Sequence, residues 1–313
     1  INYLFKGQRE CIQLTLEDGR TIICTEEHKV LNSNGEWIQA KDTLNQRLKC
    51  GVKYPEFDPT DMITYSDWSF TFGDITLRMN NTGEIMRSMA FARILGYIIT
   101  DGYIIKKGTY GGIFMGHMLD VKTMIADLQY FMPVTQTNFV SNNLYSIYLK
   151  SVFIKNLVKI DGIITGKRIA QPAVLPKFIL DPTCPLPIVR EFLGGLFGGD
   201  GQGCNLSKNT FTYISFGQSK VITQMDSLLQ MMNDIKLLLA RFGITGVTIQ
   251  NQKLTTASKK RGHIEDERKY EVDLHLDINE LIPFYERINF RHCCHKVQRL
   301  EAAASYTNFR NGI

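Results

Sequence analysis

From Cys11 to Leu16 apolar and polar residues alternate, the two-residue period of a half-buried strand. Asp18-Gly19 supplies a tight turn, and Thr21 to Thr25 return as a second strand. Asn34-Gly35, followed by Trp37 and Ile38, repeats the signal, so residues 1–60 read as a small β module. Pro55, Pro59 and several aromatics without a clear period lead into a linker over 61–82. At Thr82, a candidate N-cap with Glu84 in the first turn, the period lengthens to that of a helix. Met86, Met89, Ala90, Ile94 and Tyr97 carry an apolar helix that stops at Asp101-Gly102.

The elements after this helix occur twice. The first copy gives strands near 103–105 and 112–116 and a helix over 120–131. A hairpin turning at Asn142-Asn143 and a helix over 152–160 complete it. The second copy starts with a helix near Pro187 and ends it at Asp200-Gly201. Strand residues 211–217, a long amphipathic helix over 221–242 and strands at 245–250 and 270–276 follow, then helices over 278–287 and 292–306. The fold class is therefore α+β, with two αββαββα repeats at 83–182 and 183–313. Ile94-Leu95-Gly96-Tyr97-Ile98-Ile99-Thr100-Asp101-Gly102 matches Leu193-Gly194-Gly195-Leu196-Phe197-Gly198-Gly199-Asp200-Gly201, with the aspartates 99 residues apart.

A glycine inside a helix costs about 1 kcal/mol relative to alanine, so Gly96 and Gly194-Gly195 need a compensating reason. Close helix approach is one, and it predicts that the two helices cross with Asp101 and Asp200 side by side. Helix dipoles and mutual repulsion both oppose two carboxylates there. A divalent cation relieves both, and oxygen ligands with open positions suit Mg²⁺, with Mn²⁺ as a substitute.

Composition adds little. A hydrophobic fraction of 44% and a charged fraction of 21% are those of an ordinary globular chain, and a net charge of +5 is mildly basic. Without an apolar run long enough for a bilayer, the chain reads as intracellular and without a membrane partner. Seven cysteines with no CxxC pair argue against a disulfide framework or a zinc ribbon. His292, Cys293, Cys294 and His295 invite a metal reading, but adjacent residues on a helix point in different directions, which disfavours a shared ion.

The two Asp-Gly segments resemble the paired motifs of LAGLIDADG homing endonucleases. The second keeps Leu193, Gly195, Leu196, Asp200 and Gly201 in register, and the first keeps Gly96, Ile98, Asp101 and Gly102. Leu175-Pro176-Lys177-Phe178-Ile179 and the segment Phe290 to Lys296, with Arg299-Leu300 and Ser305-Tyr306, resemble the intein-encoded branch. Asp18-Gly19-Arg20, Thr25 to Leu31 and Gly35-Glu36-Trp37 resemble part of a Hint splicing domain, with Thr25 and His28 as remnants of its TxxH motif. His28 is better read as a hydrogen-bonded histidine, since the chain begins at Ile1 and ends Asn311-Gly312-Ile313, without the residues of splice junctions.

This resemblance implies a monomer with internal pseudo-dimer symmetry. Its β-saddle would lie in the major groove of double-stranded DNA and cleave both strands at a long asymmetric site. Asp101 and Asp200, with the carbonyls of Thr100 and Gly199, would hold the metal. Gln218, with His117 as its first-repeat counterpart, would position water, and Lys269 and Lys296 would face phosphate. Family members often carry a lysine where this chain has Ala173; Lys167 or Lys177 could replace it.

DNA contacts are expected in the first repeat from Lys106, Lys107, Tyr110, Gln136, Asn138, Asn142, Asn143, Tyr145, Tyr148 and Lys150. The second repeat offers Gln202, Asn205, Lys208, Asn209, Tyr213, Gln250, Gln252 and Lys253, with Lys259-Lys260-Arg261 as a phosphate clamp. The expected function is thus a metal-dependent DNA endonuclease. The alternatives are a catalytically weak or inactive nucleic-acid-binding protein on the same fold, such as a maturase or regulator, and a residual splicing element.

Overall fold

The computed structural model describes residues 9–15, 21–32, 34, 36–48, 63–134, 137–141, 144–207, 210–256 and 268–310. The chain divides into two compact units, Ile1–Tyr54 and Pro55–Ile313. In the first, β1 (Ile12–Thr15) pairs antiparallel with β2 (Thr21–Cys24), and β3 (Lys29–Leu31) with β4 (Trp37–Gln39). Asp18-Gly19 lies outside the described residues. At the second turn the Asn32 carboxamide oxygen accepts from the N–H groups of Asn34 and Glu36, satisfying both donors without a partner strand.

The second unit opens with a hairpin where the sequence suggests an irregular linker. β5 (Ser69–Phe72) and β6 (Ile75–Arg78) pair around Gly73-Asp74. Gly73 has φ +56°, and a Cβ there would overlap the Asn156 side chain, so the turn requires glycine. The aromatic run is packing material: Phe70 stacks on Phe178 at 3.8 Å and Phe72 lies 4.5 Å from Phe91.

Helix α1 (Thr82–Asp101) is capped by Asn81, not Thr82; the Asn81 side chain accepts from the Glu84 N–H at 3.0 Å. Gly102–Ile104 (β7), Gly111–Met115 (β8), α2 (Met118–Leu128), Thr137–Ser141 (β9), Leu144–Tyr148 (β10) and α3 (Ser151–Leu157) follow. After a long irregular stretch come the short α4 (Lys177–Leu180) and α5 (Leu186–Asp200). The second half continues with β11 (Gly201–Gln202), a small β12–β13 hairpin (Leu206–Ser207, Thr210–Phe211), β14 (Ser215–Val221), α6 (Met225–Ala240), β15 (Val247–Thr256), β16 (Arg268–Leu276), α7 (Leu281–Arg287) and α8 (Cys294–Arg310). The two four-stranded antiparallel sheets run β7-β8-β10-β9 and β11-β14-β16-β15.

Two boundaries differ from the sequence pattern. Val221 ends β14 rather than beginning the following helix, because it pairs with Lys269. α8 starts after His292, not at it; Asn289 and His292 adopt left-handed backbone (φ 62° and 53°) that a helix cannot include.

α1 and α5 pack along their glycines. A Cβ on Gly96 would overlap the Phe192 carbonyl, and one on Gly195 the Arg93 carbonyl. The contact is thus backbone on backbone, and the mid-helix glycines are explained by it. Around it lies a core of Phe91, Ile94, Phe192, Leu193 and Phe197, all fully buried. That core also holds charge. Glu191 is 1% exposed and receives two hydrogen bonds from Arg291 and one from Arg93, while Arg93 also forks onto Asp127 with both bonds at 2.7 Å. Burial alone would push the Glu191 carboxyl up; the guanidiniums of Arg291 and Arg93 overcome it and hold it well below the usual carboxylate range.

Candidate nucleic-acid site

Both central helices end in Asp-Gly, and each glycine begins a strand: Gly102 pairs with Ile113 and Gly201 with Phe216. The helix tips meet. A Cβ on Gly199 would overlap the Thr100 hydroxyl and lie 3.0 Å from Asp101 Oδ2. Asp101 and Asp200 are both half-buried. Burial first, and the charge of Asp200 second, push the Asp101 carboxyl up to about 6 against the pull of Arg168 and Lys296. Asp200 is also raised, by burial, although Arg168, the amide of Gln218, Lys296 and Lys220 all favour its charged form. Gln218 Nε2 donates to Asp200 Oδ2 at 2.9 Å.

Cations crowd this centre. Lys296 Nζ donates to the carbonyls of Gly198 and Gly199, both at 2.6 Å, and of Phe197 at 3.3 Å, closing the negative end of α5. Arg168, on the irregular segment between the halves, donates to the Gly102 carbonyl, and its charge acts on both aspartates. Lys220 Nζ donates to the Arg168 carbonyl at 2.8 Å; burial, then Arg168, lowers its ammonium to about 8. An open cavity of about 450 Å³ runs beside these groups, lined by Asp101, Gly102, Lys167, Arg168, Gln218 and Lys220 among others.

These residues meet a divalent ion only in part. Two repelling carboxylates suit one. The carbonyl of Gly199, expected as a ligand, is instead bonded to an ammonium, and Thr100, whose carbonyl was the other expected ligand, is fully buried. No hydrolytic step follows from this arrangement.

The other expected residues separate into three groups. Gln218 and Lys296 reach the acidic centre; Lys269 does not, since it pairs with Val221 at the far end of β14 from Phe216, the residue that pairs with Gly201. His117 is not the counterpart of Gln218. Strand register places Met115 there, and His117 caps α2 by accepting from the Leu119 N–H. Ala173 is buried, Lys167 lines the cavity, and Lys177 is turned to Asp161 at the surface.

Among the nucleic-acid contacts, Lys106, Lys107, Tyr110, Asn138, Lys150, Gln202, Asn205, Tyr213 and Gln250 are exposed, and Tyr145 and Tyr148 half-buried. Asn205 already accepts from Arg299, Gln250 donates to Thr248, and Tyr213 stacks on His275 at 4.4 Å. Gln252 and Lys253 lie in β15. Gln136, Asn142, Asn143, Lys208, Asn209, Lys259, Lys260 and Arg261 lie outside the described residues. In the first unit the His28 N–H bonds the Thr25 carbonyl at 3.0 Å, and His28 is exposed.

Sequence reasoning missed Arg168 and Lys220. Lys220 was within reach of it, since Gln218 and Lys220 lie two apart on one strand and therefore share a face. Arg168 begins a single 3-10 turn (Arg168–Ala170), too short to leave a periodic signal.

Comparison with known proteins corrects the functional expectation. The chain is 25% identical over 358 residues to the tRNA-splicing ligase RtcB of Pyrococcus abyssi, covering 100% of this chain and 36% of the relative. It is 26% identical over 295 residues to that of Methanocaldococcus jannaschii, covering 81% and 30%. The chain thus spans about a third of the length of the curated relatives it matches. None of these relatives is named a homing endonuclease, and the assignment as a site-specific double-strand DNA homing endonuclease is overturned by them. No helix among the described residues is long and apolar enough to cross a membrane.

Among solved structures, the homing endonuclease I-WcaI bound to its DNA recognition sequence aligns with TM-score 0.41 and 12% identity, covering 79% of this chain and 95% of that one. I-DmoI in complex with DNA and Ca gives 0.37 and 15%, covering 65% and 90%. Full-length DUF199/WhiA from Thermatoga maritima gives 0.39 and 15%, covering 72% and 66%. Residues 187–288, from α5 through α7, match the LAGLIDADG-like domain family.

Proposed function

We propose that this chain is a nucleic-acid-binding protein of LAGLIDADG type, of the maturase or regulator kind, whose acidic centre is weak or inactive as a nuclease. The observation that carries this reading is the ammonium of Lys296 on the Gly199 carbonyl. With Arg168 acting on both aspartates, fixed side-chain cations already supply the charge that a metal would bring. The centre is then a charged junction between the two helix tips, and binding falls to the two sheets, arranged as a saddle.

The first sheet favours nucleic acid by its chemistry. Tyr103, Tyr110, Phe114 and Tyr148 form a run of ring contacts at 5.1–6.1 Å, and Tyr110 and Phe114 are exposed. Exposed Lys106 and Lys107 flank the run. Bases stack on such rings while the lysines meet phosphate, each stacked base contributing about 1–3 kcal/mol. The RtcB relatives are named for tRNA splicing, which makes structured RNA the first ligand to examine and duplex DNA the second.

Fluorescence anisotropy with a labelled RNA hairpin and a DNA duplex, each with and without Mg²⁺, tests the reading. Binding that weakens steeply with salt, survives EDTA and is reduced at least tenfold by Tyr110→Ala combined with Phe114→Ala is expected. Mg²⁺-dependent strand scission at defined positions, or no binding of either polymer at low salt, refutes it.

A further inference from the structure

A second cluster of ligating side chains lies apart from the paired aspartates. His117 caps α2 and Asp120 follows one turn on, so the two share a helix face. Cys294 is the first residue of α8, in the other half of the unit. The Cys294 N–H donates to Asp120 Oδ1 at 2.7 Å, which fixes the carboxylate against the helix start. Cys294 Sγ lies 3.5 Å from His117 Nδ1. The ligand atoms of all three residues fall within 4.8 Å of one another, and Asp120, Cys293 and His295 form a second such triad.

We propose that His117, Asp120 and Cys294 hold one thiophilic divalent ion of the zinc class, which ties the start of α2 to the start of α8. Zn–S and Zn–N bonds of about 2.3 and 2.05 Å at the tetrahedral angle place sulfur and nitrogen about 3.5 Å apart, which is the sulfur–nitrogen separation here. A mixed nitrogen, sulfur and oxygen set selects zinc or cobalt over magnesium or calcium. Asp120 is 4% exposed while Cys294 and His117 are progressively more open, so the site has a buried floor and an entry from solvent. On binding, the Cys294 thiol loses its proton to water and His117 turns its Nδ1 lone pair from the Leu119 N–H to the ion. Three protein ligands leave a fourth position for water or for a side chain of the adjoining triad.

Adjacent Cys293 and Cys294 thus take part in two different triads around the one Asp120 carboxylate.

Cobalt titration of the full chain tests the site. One equivalent of Co²⁺ should give a thiolate-to-cobalt charge-transfer band that Zn²⁺ abolishes and Mg²⁺ does not. Cys294→Ser should lose the band, and His117→Ala should bind Zn²⁺ roughly 1,000-fold more weakly against a chromophoric chelator, beyond the roughly 10–100-fold range for loss of an outer-shell partner. Cys294→His keeps a nitrogen donor, so it should retain Zn²⁺ in that competition while losing the band, which separates loss of a ligand from loss of folding. Cys11→Ser and the Asp101→Asn, Asp200→Asn double variant should behave as the parent. No band at millimolar Co²⁺, or a band that survives His117→Ala and disappears with His295→Ala, overturns the assignment.

Discussion

Replacing Asp101 by asparagine should stabilise the protein at neutral pH. Burial and the neighbouring Asp200 raise the Asp101 carboxyl from 3.8 to about 6, even with Arg168 and Lys296 nearby. At 1.36 kcal/mol per pH unit this corresponds to about 3 kcal/mol, and screening of a part-exposed group reduces it to about 2 kcal/mol. Because the folded value lies above the unfolded one, the ionised form is the penalised one. The native state therefore loses stability as pH rises from about 4 to about 6, and the penalty is complete above that. The neutral carboxamide that replaces the carboxylate carries no charge and escapes it. Urea titration of parent and Asp101→Asn, followed by a probe in the second unit, should show the variant more stable by about 2 kcal/mol at pH 8 and equal to the parent at pH 4. The thermal midpoint at pH 8 should rise by about 4 °C. A variant that is less stable at pH 8, or whose gain persists unchanged at pH 4, would refute the claim that repulsion and burial outweigh the surrounding cations.

Two further substitutions probe the helix pair. Glu191→Gln leaves Arg291 and Arg93 buried with one partner charge fewer and should cost about 3–5 kcal/mol by chemical denaturation. Since the Glu191 carboxyl is held low, the parent keeps this contribution above pH about 4.3 and loses it on acidification, so the gap between parent and variant should close toward low pH. Gly195→Ala drives a methyl into the Arg93 carbonyl and should cost about 3 kcal/mol or prevent folding, whereas Gly116→Ala, with open space around its Cβ, should change stability by less than about 1 kcal/mol.

Much of the central architecture was legible because it rests on local signals. Asp101-Gly102 and Asp200-Gly201 end helices at the expected residues, and Gly96 and Gly195 mark the close crossing because a bare helix glycine has few other uses. The β5–β6 hairpin was missed although Gly73-Asp74 is a turn signal, because an aromatic on alternate and adjacent positions alike obscures a two-residue period. Val221 was assigned to a helix because its place in the strand is defined only by the distant Lys269. The charge state of the centre was not legible at all. Arg168 and the Glu191 cluster join residues some seventy to one hundred positions apart, and no spacing rule encodes such pairings. Retained aspartates alone pointed to cleavage; the curated relatives, which no residue spacing reveals, overturn that reading.

The interior ion network also bears on modularity. Arg93 and Asp127 belong to the first half, Glu191 and Arg291 to the second, and the Arg93–Glu191 ion pair joins the two. Severing the polypeptide between α3 and α5 and expressing either portion by itself would break the Arg93–Glu191 pair and expose the apolar faces that α1 and α5 now bury against each other. Neither portion should survive as a soluble monomer. Mixed during refolding, the two should reassociate into one particle, so that the halves behave as a single folding unit and not as separable pieces.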